Sequence, residues 1–309
     1  MNLYLPIAEM SVSVAMYLAL GAAVGFISGI FGVGGGILLT PLLTFLGVPT
    51  AVAVATGNAH VVASSVSGAV AQYRRNNIDV KMGLIMLTGG LVGTFIGVDA
   101  VRLLRKAGLF EVTISLSYVT FLGVVGTLMM VESLNTWHQS QKSGTPRSAR
   151  KSGQHSWVDK LPLKMRFHRS KLYISVLPPI IIGMFIGFMS AIMGIGGGFV
   201  MIPAMIYLLR VPTGVVIGTS LFQIVFVAAF ATILHAVQNK TVDVVLAAIL
   251  MAGGVIGAQF GTIAGERLKN EQMRILLAAL VLIIAGRMGY DLVTAPADLF
   301  SLSTAVRGG

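Results

Sequence analysis

The chain has no cysteine and is poor in charged and aromatic residues. Only 11% of its 309 residues are Asp, Glu, Lys or Arg, and 8% are Phe, Trp or Tyr. The absence of cysteine excludes disulfides, thiolate metal sites and cysteine nucleophiles. Soluble domains contain about 25% charged residues, so the scarcity of charge excludes an ordinary soluble domain.

Hydrophobic residues make up 55% of the chain, and the mean hydropathy is +0.87. Apolar runs of roughly 20 residues recur along its length, each sufficient to cross about 30 Å of hydrocarbon. They are continuous rather than alternating, which excludes a transmembrane barrel. The sequence therefore predicts an all-α polytopic membrane protein with about eight transmembrane helices. The predicted spans are 12–32, 50–73, 82–101, 110–131, 172–194, 213–236, 242–264 and 271–290.

The net charge of +11 is concentrated in one polar segment. Nine of the 22 basic residues lie between Lys142 and Lys171, where Asp159 is the only acid. Positive loops stay in the cytoplasm, so the pattern predicts that this loop lies inside. Eight spans would place both termini inside as well. The basic residues indicate orientation rather than a nucleic-acid partner. The loop is either solvated in the cytoplasm or lies on anionic membrane lipid.

The chain is an internal duplication. The stretch "GFISGIFGVGGGILLTPLL" (25–43) returns as "GFMSAIMGIGGGFVMIPAM" (187–205), with Gly25, Ser28 and Pro41 among the identical positions. We divide the chain into a first transmembrane repeat (1–131), a basic cytoplasmic linker loop (132–171) and a second transmembrane repeat (172–309). Four spans in each half favour parallel repeats, whereas an odd number would make them inverted.

Glycines recur at a spacing of four within several spans. Small residues four apart let helix backbones approach closely in lipid, so these glycines are predicted to hold the bundle together. They are Gly21, Gly25 and Gly29, then Gly89, Gly93 and Gly97, and in the second half Gly253, Gly257, Gly261 and Gly265.

Two glycine clusters differ from this pattern, because each interrupts an apolar run and precedes a segment too short to cross. The segments 36–46 and 198–209 are predicted half-helices. Neither cluster is followed by the Lys-Ser/Thr of a phosphate-binding loop. Free N–H groups and the positive end of the dipole at a half-helix start favour an anion, although a glycine hinge without ligand contact remains the alternative. The candidate residues are Gly34, Gly35, Gly36, Gly196, Gly197 and Gly198.

Polar side chains within the spans are few. His60 either couples a proton to anion movement or hydrogen-bonds as a neutral group across helices. Asn58 and Gln223 either donate amide hydrogens to an anion or tie helices together. The full set of polar candidates is Thr56, Asn58 and His60 in the first repeat and Thr219, Ser220 and Gln223 in the second.

No constellation of an enzyme is present: there is no HExxH, no paired carboxylate within a span and no serine triad with an acid in reach. We therefore expect a protein that is not an enzyme and that has neither a cofactor nor a bound metal.

The two glycine motifs, each followed by "VPT" (48–50 and 211–213), resemble the signature of the sulfite exporter TauE/SafE family, the toluene-sulfonate uptake permeases. The resemblance covers the chain except for 132–171. It implies an inner-membrane secondary carrier for sulfite, sulfoacetate, other organosulfonates or thiosulfate, driven by the proton gradient. "GNAH" (57–60) departs from the more serine-like sequence that we expect there.

We therefore expect proton-coupled transport of a small sulfur-containing anion, with one half of the chain rocking against the other. The alternatives are a passive anion channel and a carrier of another cargo, a carboxylate or a metal cation. The sequence leaves open whether the chain forms a homo-oligomer.

Overall fold

The computed structural model describes residues 2–31, 34–142, 164–167, 169–170, 172–209, 211–265 and 270–294. In the first half a β-hairpin precedes five helices, and the second half repeats the same order. The first half consists of β1 (Asn2–Leu5), β2 (Met10–Ser13), α1 (Val14–Phe31), α2 (Gly36–Phe45), α3 (Thr50–Arg74), α4 (Val80–Lys106) and α5 (Phe110–Lys142). The second consists of β3 (Lys164–Phe167), β4 (Leu172–Ser175), α6 (Leu177–Met193), α7 (Gly198–Pro203), α8 (Thr213–Leu234), α9 (Val244–Gly265) and α10 (Asn270–Val293).

Each of the eight predicted spans contains a helix, although 172–194 begins with the strand β4, and the all-α polytopic fold is confirmed. Within the described residues, six helices are long and apolar enough to cross a membrane: α1, α4, α5, α8, α9 and α10. The two remaining predicted spans are α3 and α6. The 25-residue α3 carries the polar side chains noted above, and α6 is only 17 residues long.

The half-helices begin where the glycine clusters predict. α2 starts at Gly36 and α7 at Gly198. α7 ends at Pro203 and is followed directly by a π-helical turn over Ala204–Leu208. Gly32 and Val33, within the first cluster, lie outside the described residues.

The segment 132–171 contains more regular structure than its composition indicates. α5 continues past the expected end of its span to Lys142, and β3 occupies 164–167. Residues 143–163, which include most of the predicted linker, lie outside the described residues. The proposed boundaries of the two repeats therefore stay a prediction.

The spaced glycines join the two repeats to each other, as close backbone approach in lipid requires. A Cβ on Gly25 of α1 would stand 2.7 Å from Cα of Gly254 in α9. In the same way, a Cβ on Gly97 of α4 would stand 2.9 Å from the carbonyl oxygen of Phe188 in α6. The first helix of each repeat thus packs along the fourth helix of the other, and the halves interlock instead of lying side by side.

The repeats are inverted, not parallel as the span count favoured. α3 runs antiparallel to its counterpart α8, since Gly68 meets Leu221 while Val61 lies near Ile224. The pair α5 and α10 is antiparallel too, since Gly126 meets Leu282 while Gly289 meets Val119. The reason is that α2 turns back from α1 and runs down α3, with Thr40 beside Gly57, so it adds a pass that a count of full spans omits.

The two β-hairpins lie on opposite faces of the protein. The first hairpin contacts the start of α9, where the Ile7 amide donates to Asp243 at 3.0 Å. The second contacts the start of α4, where the Ser170 amide donates to Asp79 at 3.0 Å. Because α4 and α9 are antiparallel counterparts, the N-terminal hairpin lies on the face opposite the end of α5. The expectation that the N-terminus shares a face with the basic segment is therefore wrong.

Candidate functional site

The two helix breaks meet at the centre of the protein. A Cβ on Gly36 would stand 2.6 Å from the carbonyl oxygen of Ile195, which belongs to the other break. Gly34 and Gly196 both face Ile224 of α8, at 3.5 and 3.3 Å from the position of an added Cβ. The glycine candidates of both repeats therefore come together beside the crossing of α3 and α8.

Both half-helices begin without a side-chain cap. Their N-caps are Gly35 and Gly197, with φ of 75° and 78°, a left-handed conformation that glycine adopts without strain. The amides of a helix's first turn have no intrahelical acceptor. Gly36 and Ile37 therefore present N–H groups at the positive end of the α2 dipole, where an anion is favoured.

Two buried donor groups of α3 face this region. Asn58 Nδ2 and Ser65 Oγ are fully buried and have no hydrogen-bond partner among the described residues. Ser65 Oγ lies 3.1 Å from the position of a Cβ on Gly34. The other side of the Asn58 amide, Oδ1, accepts a long hydrogen bond of 3.5 Å from Ser190 of α6. This bond leaves the Asn58 NH₂ group available to an anion.

His60 lies between α1 and α9. Its Nε2 is 3.3 Å from the carbonyl oxygen of Gly21. A carbonyl only accepts, so Nε2 carries the hydrogen and the neutral ring has an acceptor lone pair at Nδ1. Nδ1 is buried without a partner among the described residues. The carbon between the two nitrogens, Cε1, lies 3.4 Å from the position of a Cβ on Gly35, so the ring borders the first break.

Gln223, the counterpart of His60, also lies at the centre, but its side-chain NH₂ group already has a hydrogen-bond partner. Nε2 donates to the carbonyl oxygen of Met86 at 3.2 Å, while Oε1 is buried without a partner among the described residues. In this arrangement Gln223 offers an anion an acceptor rather than the expected amide hydrogen.

Three of the polar candidates form hydrogen bonds with backbone groups instead of facing the breaks. Thr56 Oγ1 accepts from the Asp243 amide at 3.2 Å, and Thr219 Oγ1 accepts from the Asp79 amide at 3.0 Å. Ser220 donates to the carbonyl of Ile217 in its own helix at 2.9 Å. Their contacts are structural.

Sequence reasoning did not choose Ser64 and Ser65, which the structure places at the first break. Ser64 donates to the carbonyl oxygen of Gly34 at 3.1 Å. Comparison of the repeats hides both serines, because the second repeat has Val227 and Ala228 at these positions. The helical spacing of Asn58, Val61 and Ser65 places them on one face of α3 and could have revealed Ser65.

Carboxylates are absent from this centre in the part of the chain that the structure describes. Among the described residues the buried acids are Asp79 and Asp243, and both lie at the starts of helices rather than at the centre. Asp79 accepts from the Met82 amide at 3.1 Å, and Asp243 accepts from the Leu246 amide at 3.0 Å. They are N-caps, so the central polar groups are uncharged side chains and backbone amides.

Inverted repeats with discontinuous helices that meet inside the bundle define the architecture of a membrane transport protein. The chain belongs to the sulfite exporter TauE/SafE family, whose model matches residues 17–288. It is a multi-pass membrane protein with a role in transport.

Curated relatives extend over almost the whole chain. A protein of Bacillus subtilis (strain 168) called "Probable membrane transporter protein YunE" is 24% identical over 90% of this chain and 98% of its own length. A "Probable membrane transporter protein" of Xylella fastidiosa (strain 9a5c) is 27% identical over 88% of this chain and 95% of its own. No solved structure matches the chain.

Proposed function

We propose that the protein is a secondary active transporter for a small sulfur-containing anion such as sulfite, sulfoacetate or another organosulfonate. The observation that carries the proposal is the meeting of two uncapped half-helix starts beside buried, unpartnered donors. An oxyanion satisfies both kinds of donor at once. The site consists of Gly34–Gly36 and Gly196–Gly198 with Asn58, His60 and Ser65.

The uncharged lining supports an anion over a metal cation. A cation site requires oxygen ligands with negative charge, and the buried carboxylates of the described residues cap helices away from the breaks. The described lining likewise offers no nucleophile and base in contact, which supports transport without catalysis.

The tautomer of His60 supports proton coupling. With Nε2 committed to Gly21, an anion beside the ring meets the bare lone pair of Nδ1. A proton on Nδ1 converts repulsion into a charge-assisted hydrogen bond. We propose that anion and proton enter the site together.

The packing identifies moving parts other than the sequence halves. α1 lies along α9, and α4 along α6, so rocking residues 1–131 against 172–309 would break the closest helix contacts. Alternating access instead moves the unit α1–α3–α9 against the inverted unit α6–α8–α4, with the site between α3 and α8.

We place the protein in the bacterial cytoplasmic membrane with the basic segment inside. Arg74, Lys81, Arg166 and Arg169 lie on the face where α5 ends. The positive-inside rule assigns this face to the cytoplasm.

Flux into proteoliposomes tests the transport proposal. With an imposed pH gradient, we expect labelled sulfite or sulfoacetate to accumulate against its own gradient, and excess carboxylate analogues or divalent metals to compete poorly. Ser65→Ala should weaken transport, whereas the matched Ser220→Ala should not, since its hydroxyl bonds only its own helix. Flux that is always downhill would establish a channel, and competition by carboxylates or metals would establish another cargo.

A further inference from the structure

The β-hairpins are part of the duplicated unit, although their sequences share little. β1 pairs with β2 as Asn2↔Ser13 through Leu5↔Met10, and β3 pairs with β4 as Lys164↔Ser175 through Phe167↔Leu172. Every hairpin position recurs 162 residues later, the offset of the glycine motifs. Each hairpin leads directly into the first helix of its repeat.

Each hairpin inserts one large side chain into the end of the bundle. Leu5 is fully buried in the cluster that contains Leu43 and Val48, at the far end of the half-helix α2. Phe167 is fully buried with Met205 and Val211, at the far end of the α7 segment. The hairpins therefore lie on opposite faces, and each buries one side chain in an apolar cluster that includes residues from the end of one half-helix segment.

A buried aspartate fastens each hairpin. Asp79 Oδ2 accepts from the amide of Ser170 at 3.0 Å and from its hydroxyl at 2.7 Å. Asp243 Oδ2 accepts from the amide of Ile7 at 3.0 Å. The other oxygen of each carboxylate caps its own helix.

The fastenings connect to the central helices. The backbone amides of Asp79 and Asp243 donate to Thr219 of α8 and Thr56 of α3. Gln223, one turn beyond Thr219, donates to Met86, and Met86 packs in the same cluster as Phe167. A displacement of α8 at the site thus acts on the second hairpin through two contacts.

We propose that the two hairpins are the gates of the transport pathway and that Asp79 and Asp243 are the latches that hold them closed. This proposal rests on the transport function proposed above. Closure of both hairpins makes the present structure an occluded state, and release of either latch opens one face.

The latches differ in strength. At the second hairpin, Ser170 adds a hydroxyl hydrogen bond, and Arg169 donates to the backbone carbonyl and side-chain oxygens of Asn76 at 3.3 Å. The first hairpin has Ala8 at the position of Ser170, so a hydroxyl is missing there. The face of the first hairpin therefore opens more readily.

Two reciprocal substitutions test the latches, because each repeat supplies the residue for the other. Ser170→Ala removes one hydrogen bond and leaves the cap of α4 intact, whereas Asp79→Asn would disturb both. Ala8→Ser places a hydroxyl at the position equivalent to Ser170, next to the Ile7 amide that donates to Asp243, and we expect it to add a donor to this carboxylate. The chain has no native cysteine, so Ser65→Cys provides a single central thiol in each background.

The readout is the rate of labelling of that thiol by a membrane-impermeant reagent added to one side of proteoliposomes. Ser170→Ala should raise labelling from the face of the second hairpin roughly two- to tenfold, the effect of one hydrogen bond, and leave the other face unchanged. Ala8→Ser should lower labelling from the face of the first hairpin by a similar factor.

Unchanged rates, or equal changes from both faces, in variants with parental thermal stability would overturn the gate proposal. Sulfite or sulfoacetate flux, measured on the parental protein and on Ser170→Ala and Ala8→Ser with Ser65 retained, separates the two proposals. Labelling that responds in a protein that moves neither anion supports the gates and rejects the proposed cargo. Flux with unresponsive labelling rejects the gates alone.

Discussion

Nε2 of His60 lies 3.3 Å from the carbonyl oxygen of Gly21, and this contact determines which nitrogen of the ring is available to a ligand. Gly21 is also where α1 approaches α9, since an added Cβ would stand 2.6 Å from the carbonyl oxygen of Leu250. Rotation of the ring to present Nε2 to the breaks would therefore break the hydrogen bond to Gly21. In our proposal Nδ1 is the atom that takes up the transported proton.

Replacement of His60 by Gln tests that role. Gln stands at the equivalent position of the second repeat, so His60→Gln introduces a side chain that the fold already accommodates there. We expect the variant to bind the anion but to lose accumulation driven by a pH gradient, because an amide does not take up a proton near neutral pH. The measurement is vesicle flux with and without the gradient, with a protonophore as control. A variant that still accumulates the anion would exclude His60 as the coupling group.

Gly35 and Gly47 form a matched pair for testing contact between backbone and anion. Both are left-handed, with φ of 75° and 86°, but a Cβ on Gly35 would stand 3.1 Å from Ser28 whereas one on Gly47 meets nothing within 4 Å. Alanine should cost each site about 1–2 kcal/mol of backbone strain. Gly35→Ala alone should also lower anion affinity, at least tenfold by the loss of one charge-assisted contact. Titration of both purified variants by calorimetry checks this. Equal anion affinities of the two variants would indicate that the first glycine cluster is a hinge that does not contact the anion.

The glycines between α1 and α9 govern stability. Gly25→Ala places a Cβ 2.7 Å from Cα of Gly254, so the helices must separate. Overpacking of this kind costs about 1–3 kcal/mol, and we expect a lower midpoint of thermal unfolding in detergent. Gly123→Ala is the control, because a Cβ there meets nothing within 4 Å and alanine favours a helix by about 1 kcal/mol. Similar midpoints for both variants would contradict the close approach of α1 and α9.

Tyr118 of α5 supports the second break. Its hydroxyl donates to the carbonyl oxygen of Met193, the last residue of α6. Tyr118→Phe should cost about 1 kcal/mol, which lowers the midpoint of unfolding by about 2–4 °C. Tyr290→Phe, at a side chain 61% exposed, should leave it unchanged. If both variants unfold at the parental temperature, the hydrogen bond makes no net contribution.

Much of the candidate site could be predicted from the sequence because glycine and polar residues are costly within a membrane. The clusters before Ile37 and Phe199 predicted both half-helix starts. The choice among polar residues was less accurate, since Thr56 and Thr219 hold backbone amides while Ser65 faces the first break. Composition shows that a polar group lies in a span, but only its neighbours show whether it already has a partner.

The sequence by itself determined the membrane class, the all-α fold and the starts of the two half-helices. These features follow from the length of apolar runs and from the conformational preferences of glycine and proline, which act locally. Only the tertiary structure decided that the repeats are inverted and interlocked, because hydropathy does not record that α2 turns back along α3. It also decided that the two hairpins lie on opposite faces, since Leu5 and Phe167 are buried only through the helices that pack around them.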